Sequence, residues 1–450
     1  MLKRLLHKAY RRYSGNRFWF VRRFTPAGMV VLAGVVATAC LGVDTTLIVA
    51  YQTFSLLALL LGFSLLFAFR PKARVAGRRF LPKTASAGTP VSYRVQLTNR
   101  SRGVLRGLVL LENLAHQLPS LEEFLNTPEP GEENRNWVDR AMGFYRWNWL
   151  IARRMPGKIR EKGSPPIPPG ASRETVLSLT PARRGLLRFT SLTLARTDPF
   201  GLFRSLQELK AADTLTVLPK RYRVPPLSLA GVMRYQPGGV TLASSVGESE
   251  EFVSLREYRP GDPLRHIHWK SWAKAGKPIV KEFQDEFFVR HAMILDTYSP
   301  DGDNEVFEEA VSVAASFACS IQSSDSLLDL LFVGPEAYCF TSGRGLAQTE
   351  KLLEILAGVK TCSGKPFLAL ERMVLEHLSL VSGCLCVFIH WDEVRREFVE
   401  RMQARGVVPL VLVVTPDKAP PLHPGPMAAH PGRFRQLPVS RVQEMLLQLS

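Results

Sequence analysis

Two long uncharged runs near the amino terminus constrain this chain more than any other feature. Residues 27–43 hold 17 residues without charge, and residues 47–69 hold 23. As a helix the second run reaches about 34 Å, enough to cross the hydrocarbon core of a bilayer. The first run is shorter and can borrow flanking residues. The sequence therefore predicts a transmembrane hairpin of two helices over residues 27–69.

Positive charge flanks both runs. Eight Lys and Arg precede Pro26 and five follow the second run, whereas the short connection between the runs carries the acid Asp44. Because basic flanks stay in the cytoplasm, we expect a multi-pass protein of the cell inner membrane, with a basic cytoplasmic tail at 1–26 and the bulk of the chain cytoplasmic. A cleaved signal peptide is the alternative, but it would need a short leader, a small-residue cleavage site and no second apolar run.

The net charge of +18 raises the question of nucleic-acid binding. Residues 1–80 carry 13 Lys and Arg against one acid, while the other 370 residues carry 45 basic and 39 acidic side chains. The basicity therefore belongs to the ends of the hairpin, where membrane lipid is the expected partner and nucleic acid is not. The six cysteines show no framework spacing, which fits a reducing compartment.

A two-residue period begins after the hairpin. In residues 92–99 Tyr93, Val95 and Leu97 alternate with polar side chains, which is typical of a half-buried antiparallel strand. Similar strands recur up to residue 219, so we predict an Ig-like β-sandwich over 70–225. An insert at about 115–170 contains three Trp residues and is expected to form helices around a small core of its own. The sequence DPFGLF at 198–203 predicts a type I turn.

Continuous apolar strands alternate with amphipathic helices over residues 291–450, which predicts a doubly wound α/β domain. Ligands in such sheets bind at the carboxyl ends of the strands. Asp296, Ser299 and Asp392 fall there, and their oxygens are ligands that Mg²⁺ accepts. Asp392 precedes a helix, however, and capping that helix is the alternative role. No other cofactor is indicated.

Residues 254–283, "SLREYRPGDPLRHIHWKSWAKAGKPIVKEF", lie in a predicted connecting segment at 226–290 and concentrate cationic and aromatic side chains. Stacking on nucleic-acid bases is one interpretation. Acids are interleaved, so a network of Arg–carboxylate pairs is the preferred one. If "RHIHW" is extended, His266 and His268 face one way. With Asp296 and Asp392 they define an alternative function, metal-assisted hydrolysis.

This stretch resembles the defining motif of the bacterial DUF58 family. The upstream "ARRGLLRFTSLTLARTDPFGLF" resembles the other hallmark of that family. The resemblance marks a set of motif residues as a docking face: Arg256, Tyr258, Gly261, Asp262, Arg265, His268, Trp269 and Lys270.

The resemblance implies a membrane-anchored protein whose last domain is like a von Willebrand factor type A domain. It also implies an assembly or chaperone-like role beside a MoxR-type AAA+ ATPase and a transglutaminase-like membrane protein, with no established enzymatic activity. The adhesion-site pattern Asp-x-Ser-x-Ser would fall on Asp296, Tyr298 and Pro300, so only its Asp is kept. Asp392 matches the later acidic ligand. We therefore expect a protein-binding scaffold that is not an enzyme.

Overall fold

The computed structural model describes residues 2–41, 48–68, 73–115, 118–225, 251–262, 264–284, 290–299, 304–322, 327–334, 337–342, 346–362, 367–378 and 381–449. The chain divides into two compact units, Met1–Leu218 and Pro219–Ser450. The family-motif segment, predicted as a connection between domains, lies in the second unit.

Two β-sheets pack face to face in the first unit. One sheet has the order β1-β3-β7-β5 and the other β2-β9-β8-β4-β6. The strands are β1 Val75–Phe80, β2 Thr84–Ser86, β3 Val91–Asn99, β4 Leu108–Leu114, β5 Gly157–Ile159, β6 Lys162–Gly163, β7 Ser172–Pro181, β8 Gly185–Thr197 and β9 Arg204–Leu218. The predicted sandwich is therefore present as two sheets.

The sandwich core follows the two-residue period of its strands. Tyr93, Val95 and Leu97 are buried between the sheets, where they meet Phe189 and other apolar side chains of the opposite sheet. A charged pair is buried beside them: both carboxylate oxygens of Glu112 accept hydrogen bonds from Arg79, at 3.1 and 2.7 Å. The hydroxyl of Tyr93 donates to the same carboxylate at 3.0 Å. This pairing satisfies two charges that burial would otherwise penalise.

Three helices precede the sandwich: α1 Leu2–Arg23, α2 Pro26–Leu41 and α3 Ile48–Ala68. Among the described residues, one stretch is long and apolar enough to cross a membrane, Val49–Phe67 in α3, with a mean hydropathy of 1.8. The apolar stretch of α2, Pro26–Cys40, is shorter. The connection between α2 and α3, including Asp44, lies outside the described residues.

Both apolar helices contact the turn at 198–203, α2 through the residue before its start and α3 near its end. The backbone N–H of Thr25, just before α2, donates to the Leu202 carbonyl at 3.1 Å. The hydroxyl of Ser64, near the end of α3, donates to Asp198 at 2.6 Å. Because α2 starts where α3 ends, the two helices run in opposite directions. The same turn carries the i to i+3 hydrogen bond expected for it, from the Gly201 N–H to the Asp198 carbonyl at 3.1 Å.

The insert forms the helices α4 Leu121–Asn126, α5 Trp137–Met142 and α6 Phe144–Arg154. Its small core, which the sequence predicted, centres on Trp147 and Phe124. The segment predicted as a basic tail is helix α1, and its first half completes this core through His7 and Tyr10. The insert therefore folds together with the amino terminus, an association that spacing along the chain does not reveal.

A six-stranded sheet forms the centre of the second unit, in the order β14-β13-β12-β15-β16-β17. All neighbours are parallel except β13 and β14. Its strands are β12 Arg290–Leu295, β13 Leu327–Val333, β14 Ala337–Ser342, β15 Gly383–Phe388, β16 Leu410–Thr415 and β17 Phe434–Pro438. The helices are α8 Glu305–Gln322, α9 Leu346–Gly358, α10 Leu368–His377, α11 Glu393–Ala404 and α12 Val442–Leu447.

The sheet order reverses at β12, since β13 pairs with one edge of β12 and β15 with the other. In an open sheet this point leaves a crevice outside the carboxyl ends of the two strands. Asp296 directly follows β12, and Asp392 lies between β15 and α11. The predicted α/β domain is present with a mostly parallel sheet, and the fold brings these two acids to the point where the strand order reverses.

The motif segment forms a small lobe of its own within the second unit. An antiparallel pair, β10 Glu251–Glu257 and β11 Ile279–Gln284, carries a short helix, α7 Trp269–Ala275, between its strands. Ile267 and Val280 are buried beneath the helix and form a β-bridge. We call residues 251–284 the motif lobe.

Candidate functional site

The strand-end acids converge on one guanidinium. Asp296 is fully buried, and Arg395 in the first turn of α11 donates to it from Nε at 3.2 Å. The Nη2 atom of Arg395 lies 3.1 Å from Asp296 Oδ2, and Nη1 donates to Asp392 Oδ2 at 2.6 Å. The guanidinium also lies over the ring of Phe367, 4.6 Å from its centroid. The Arg395 guanidinium thus donates hydrogen bonds to both carboxylates.

Asp392 has a second task. Its Oδ1 accepts the backbone N–H of Arg395 at 3.1 Å, so it caps the start of α11. This is the alternative role that the sequence left open for Asp392. The cap fixes the first turn of the helix, and that turn holds the Arg395 side chain toward Asp296.

Asp296 is tied down by the backbone as well. Its Oδ1 accepts the N–H of Tyr298 at 3.0 Å. Burial raises the pKa of the Asp296 carboxyl, and Arg395 together with the Tyr298 N–H opposes that shift. The buried hydroxyl of Ser299 has no hydrogen-bond partner in the part of the chain that is described.

These contacts do not fit a magnesium site. A divalent cation would need the oxygens that Arg395 already engages, and it would be repelled by the guanidinium. In the described ranges no group of three His, Cys, Asp or Glu side chains is placed to hold a metal. Pro300 and the three residues after it lie outside those ranges. The arrangement instead forms a buried ion pair between Asp296 and Arg395 at the switch point.

The turn of the motif lobe is braced by a two-pronged ion pair. Arg256 donates from Nη1 and Nη2 to the two oxygens of Asp262, at 2.7 and 2.8 Å. Asp262 also accepts the Arg259 N–H at 2.8 Å. These bonds lower the pKa of Asp262 to about 2. Gly261 has φ +108°, a backbone conformation that favours glycine. The expected Arg–carboxylate pairing is therefore present in the motif.

Other motif residues fix the lobe through its backbone. The N–H of Tyr258 donates to the Pro278 carbonyl at 3.0 Å, and the N–H of His268 donates to Ile279 at 2.8 Å. The His268 ring lies 2.6 Å from the Ser271 hydroxyl, between Nδ1 and Oγ. These bonds join the start of α7 to β11, so they hold the helix against the strand pair.

Helix α7 exposes an aromatic pair. Trp269 stacks on Trp272 with ring centroids 5.2 Å apart and planes inclined by 16°. Trp269 remains 66% exposed, Trp272 is half-buried, and Leu264 of the same segment is exposed. Arg265, Lys270 and Lys274 are exposed cations of the same segment. The result is an apolar aromatic centre with a basic rim.

The extended form of "RHIHW", on which the alternation of His266 and His268 depended, is not present. Leu264–His266 is a 3-10 turn, and α7 begins directly after His268. The chain turns there, and the buried Ile267 forms a β-bridge with Val280. The side chains found to matter beyond the predicted set are Arg395 and Trp272. A signal for Arg395 exists in the spacing "DEVR", which places an Arg one helical turn after the capping Asp392.

Comparison with known proteins supports the motif assignment. Residues 254–411 match the family described as "Protein of unknown function DUF58". The chain is 30% identical over 193 residues to the uncharacterized protein YeaD of Bacillus subtilis, a match that covers 42% of this chain and 47% of that protein. The chain thus spans about half the length of this curated relative.

Solved structures show only weak likeness. A CARDB domain from Pyrococcus furiosus covers 33% of this chain and 97% of its own, with 9% identity and a TM-score of 0.18. A PapD-like domain of human CEP192 covers 33% of this chain and 89% of its own, with 9% identity and a TM-score of 0.19. Scores of this size carry no argument about function. The chain is therefore similar to the DUF58 family over the motif lobe and most of the six-stranded sheet.

Proposed function

We propose that the protein is a membrane-anchored docking protein, an assembly or chaperone-like partner of a MoxR-type AAA+ ATPase at the cell inner membrane. A transglutaminase-like membrane protein is a second partner implied by the family resemblance. In this proposal the motif lobe supplies the docking face. No chemical reaction is assigned to the chain.

The pairing of α2 with α3 supports the membrane part of the proposal. Both helices are apolar, they run in opposite directions, and both meet the turn at 198–203 at one end. A hairpin of this kind spans a bilayer with both ends on one side. The basic residues before Pro26 and after Ala68 favour the cytoplasm as that side.

The strand order supports a von Willebrand factor type A-like fold for the last domain. The order β14-β13-β12-β15-β16-β17, with the edge strand β14 antiparallel, is the doubly wound pattern in which chains of that class are built. Such a fold offers loops at the carboxyl ends of its strands. In this chain Arg395 donates hydrogen bonds to both acids at that edge.

The single observation that carries the docking proposal is the Trp269–Trp272 stack, in which Trp269 is exposed. A large aromatic side chain left 66% in water contributes no core packing. Trp and Arg are enriched among the residues that dominate binding energy at protein interfaces. A rigid base, an aromatic centre and a basic rim together match a partner with an apolar pocket and an acidic border.

The hydrolase alternative would need the strand-end acids to be free for a metal or a water. Arg395 engages both carboxylates, and the histidines of the motif do not form a pair on one face. The described residues thus offer this alternative no assembled site.

Affinity capture from detergent-solubilised membranes tests the proposal. The bait is the full chain, either unchanged, as Trp269→Ala or as Lys270→Glu, with Leu447→Ala and Lys418→Glu as exposed control variants in the same unit. Hot-spot side chains contribute about 2 kcal/mol or more, equal to about 30-fold in affinity. We expect the ATPase to be recovered by the unchanged protein and both controls and to be lost with Trp269→Ala. Equal recovery by all baits, or no AAA+ ATPase in any capture, would contradict the proposal.

A further inference from the structure

The second half of α1 separates from the insert core. His7 and Tyr10 are buried against Trp147, whereas every residue from Gly15 to Val21 is exposed. The exposed residues include Phe18, Trp19, Phe20 and Val21, and Val21 is 62% exposed. This half of the helix therefore leaves several large apolar side chains exposed.

A groove lies along the second half of α1. Its volume is about 950 Å³, and it opens between α1, α6 and the strands β4 and β5. This volume falls within the range of small-molecule binding sites. Its apolar lining comes from Phe18, Val21, Leu114, Ile151, Met155 and Ile159.

The charged lining of the groove is positive. Arg17, Arg22 and Lys158 line it, while the acid in its wall, Glu112, is neutralised by Arg79. Burial lowers the pKa of Arg22, and the nearby acids Glu161 and Glu208 oppose that shift.

Both of those acids have other partners. Glu161 pairs with Arg204 at 2.9 Å, and Glu208 accepts a hydrogen bond from the hydroxyl of Ser191. Arg17 and Lys158 are exposed at the groove. The cavity therefore combines an apolar floor with a surplus of cations.

The groove also lies beside the start of the apolar helices. Arg22 is four residues before Pro26, the first residue of α2. Trp19 and Phe20 are exposed next to it, and aromatic side chains of this kind concentrate at the headgroup level of a bilayer. Clustered Lys and Arg at that level attract anionic lipids.

We propose that this groove binds an anionic phospholipid, with an acyl chain along the apolar lining and the phosphate near Arg17 and Arg22. The proposal rests on the proposed function, because the lipid comes from the membrane that α2 and α3 cross. An acyl chain needs no hydrogen bonds, which suits the apolar floor. The phosphate needs cations, which the rim supplies.

Photo-crosslinking in vesicles tests this proposal. The full chain is reconstituted with a phosphatidylglycerol or a phosphatidylcholine that carries a photoreactive acyl chain, and the labelled peptides are mapped by mass spectrometry. The variants are Arg17→Gln with Lys158→Gln, and Arg12→Gln serves as the control because Arg12 lies on the same helix outside the groove. We expect phosphatidylglycerol to label residues 13–22 and 148–159. The double variant removes two exposed cations and should lower that labelling about fivefold, whereas Arg12→Gln should leave it unchanged.

The outcomes separate the two proposals. Incorporation into vesicles without label in the groove peptides would overturn the lipid site alone. Equal labelling by both lipids that the double variant does not change would also overturn the lipid site. In that case the cations of the groove would not distinguish an anionic lipid from a neutral one. Failure of the protein to incorporate into vesicles would contradict the membrane anchor and, with it, the source of the lipid.

Discussion

Arg395 lies against Asp296, with Nη2 3.1 Å from Oδ2, although 99 positions separate the two residues in the sequence. The carboxylate is fully buried and the guanidinium nearly so. A strand end that the sequence suggested as a metal site holds a protein cation instead. This pair joins β12 to α11 at the switch point of the sheet.

Removal of Arg395 should destabilise the second unit. Arg395→Met leaves the Asp296 charge buried without a partner, and breaking such a pair costs roughly 3–5 kcal/mol. The double variant Asp296→Asn with Arg395→Met removes both charges and should recover much of that loss. Hydrogen exchange of the β12 and β15 amides in the full chain measures the change. Equal protection in Arg395→Met and the unchanged protein would show that the pair contributes nothing.

Magnesium should leave the unfolding temperature unchanged. The oxygens of Asp296 and Asp392 are engaged by Arg395, so an added divalent cation gains no site and stabilises no folded state. A thermal melt of the full chain with and without millimolar Mg²⁺ measures this. A rise in Tm that Asp296→Asn abolishes would restore the metal hypothesis.

The turn of the motif lobe should keep its ion pair in acid. Because the pKa of Asp262 is lowered to about 2 by Arg256 and the Arg259 N–H, the pairing is complete above the ordinary value of about 3.9 and is lost as the pH falls through about 2. Arg256→Gln should move the pKa toward that ordinary value. The NMR shift of the Asp262 carboxyl carbon against pH measures both. An unshifted midpoint in the unchanged protein would contradict the geometry.

The contact between α2 and the turn at 198–203 should depend on Gly28. A Cβ atom at Gly28 would lie 2.0 Å from the Leu202 carbonyl oxygen, so Gly28→Ala must push the helix from the turn. Overpacking of this kind costs about 1–3 kcal/mol. Hydrogen exchange at residues 198–203 should increase.

Gly62→Ala in α3 is the matched control, since a Cβ there meets nothing within 4 Å. It should leave exchange at the turn unchanged. The same response from both variants would mean that the turn does not hold α2 closely.

Much of the fold follows from local patterns. The alternation of Tyr93, Val95 and Leu97 predicts the inner face of β3, and helical spacing predicts α8 and α11, because burial imposes these periods on the sequence. The edge strands β14 and β17 are harder to identify from the sequence, because an edge strand buries less and shows a weaker pattern. The helix α1 was missed as a partner of the insert because its contacts with Trp147 span more than 130 positions.

The candidate site was harder to predict. The acids at the strand ends could be identified because the topology of an α/β sheet fixes where such ends lie. The partner of Asp296 could not, because which side chain of α11 points inward depends on how the helix packs. The extended form of "RHIHW" could not be tested from the sequence for a similar reason. Residues 264–266 form a 3-10 turn and Ile267 is buried, and a run of five residues does not reveal either feature.

The most direct test of the account is the side of the membrane on which the second unit lies. Lys418→Cys places a thiol at an exposed position, and a membrane-impermeant maleimide reports its access in intact and permeabilised cells, with the labelling of the unsubstituted protein subtracted. A cytoplasmic docking protein held by α2 and α3 predicts a membrane-bound protein that is labelled only after permeabilisation. Labelling in intact cells, or recovery of the protein in the soluble fraction, would contradict it.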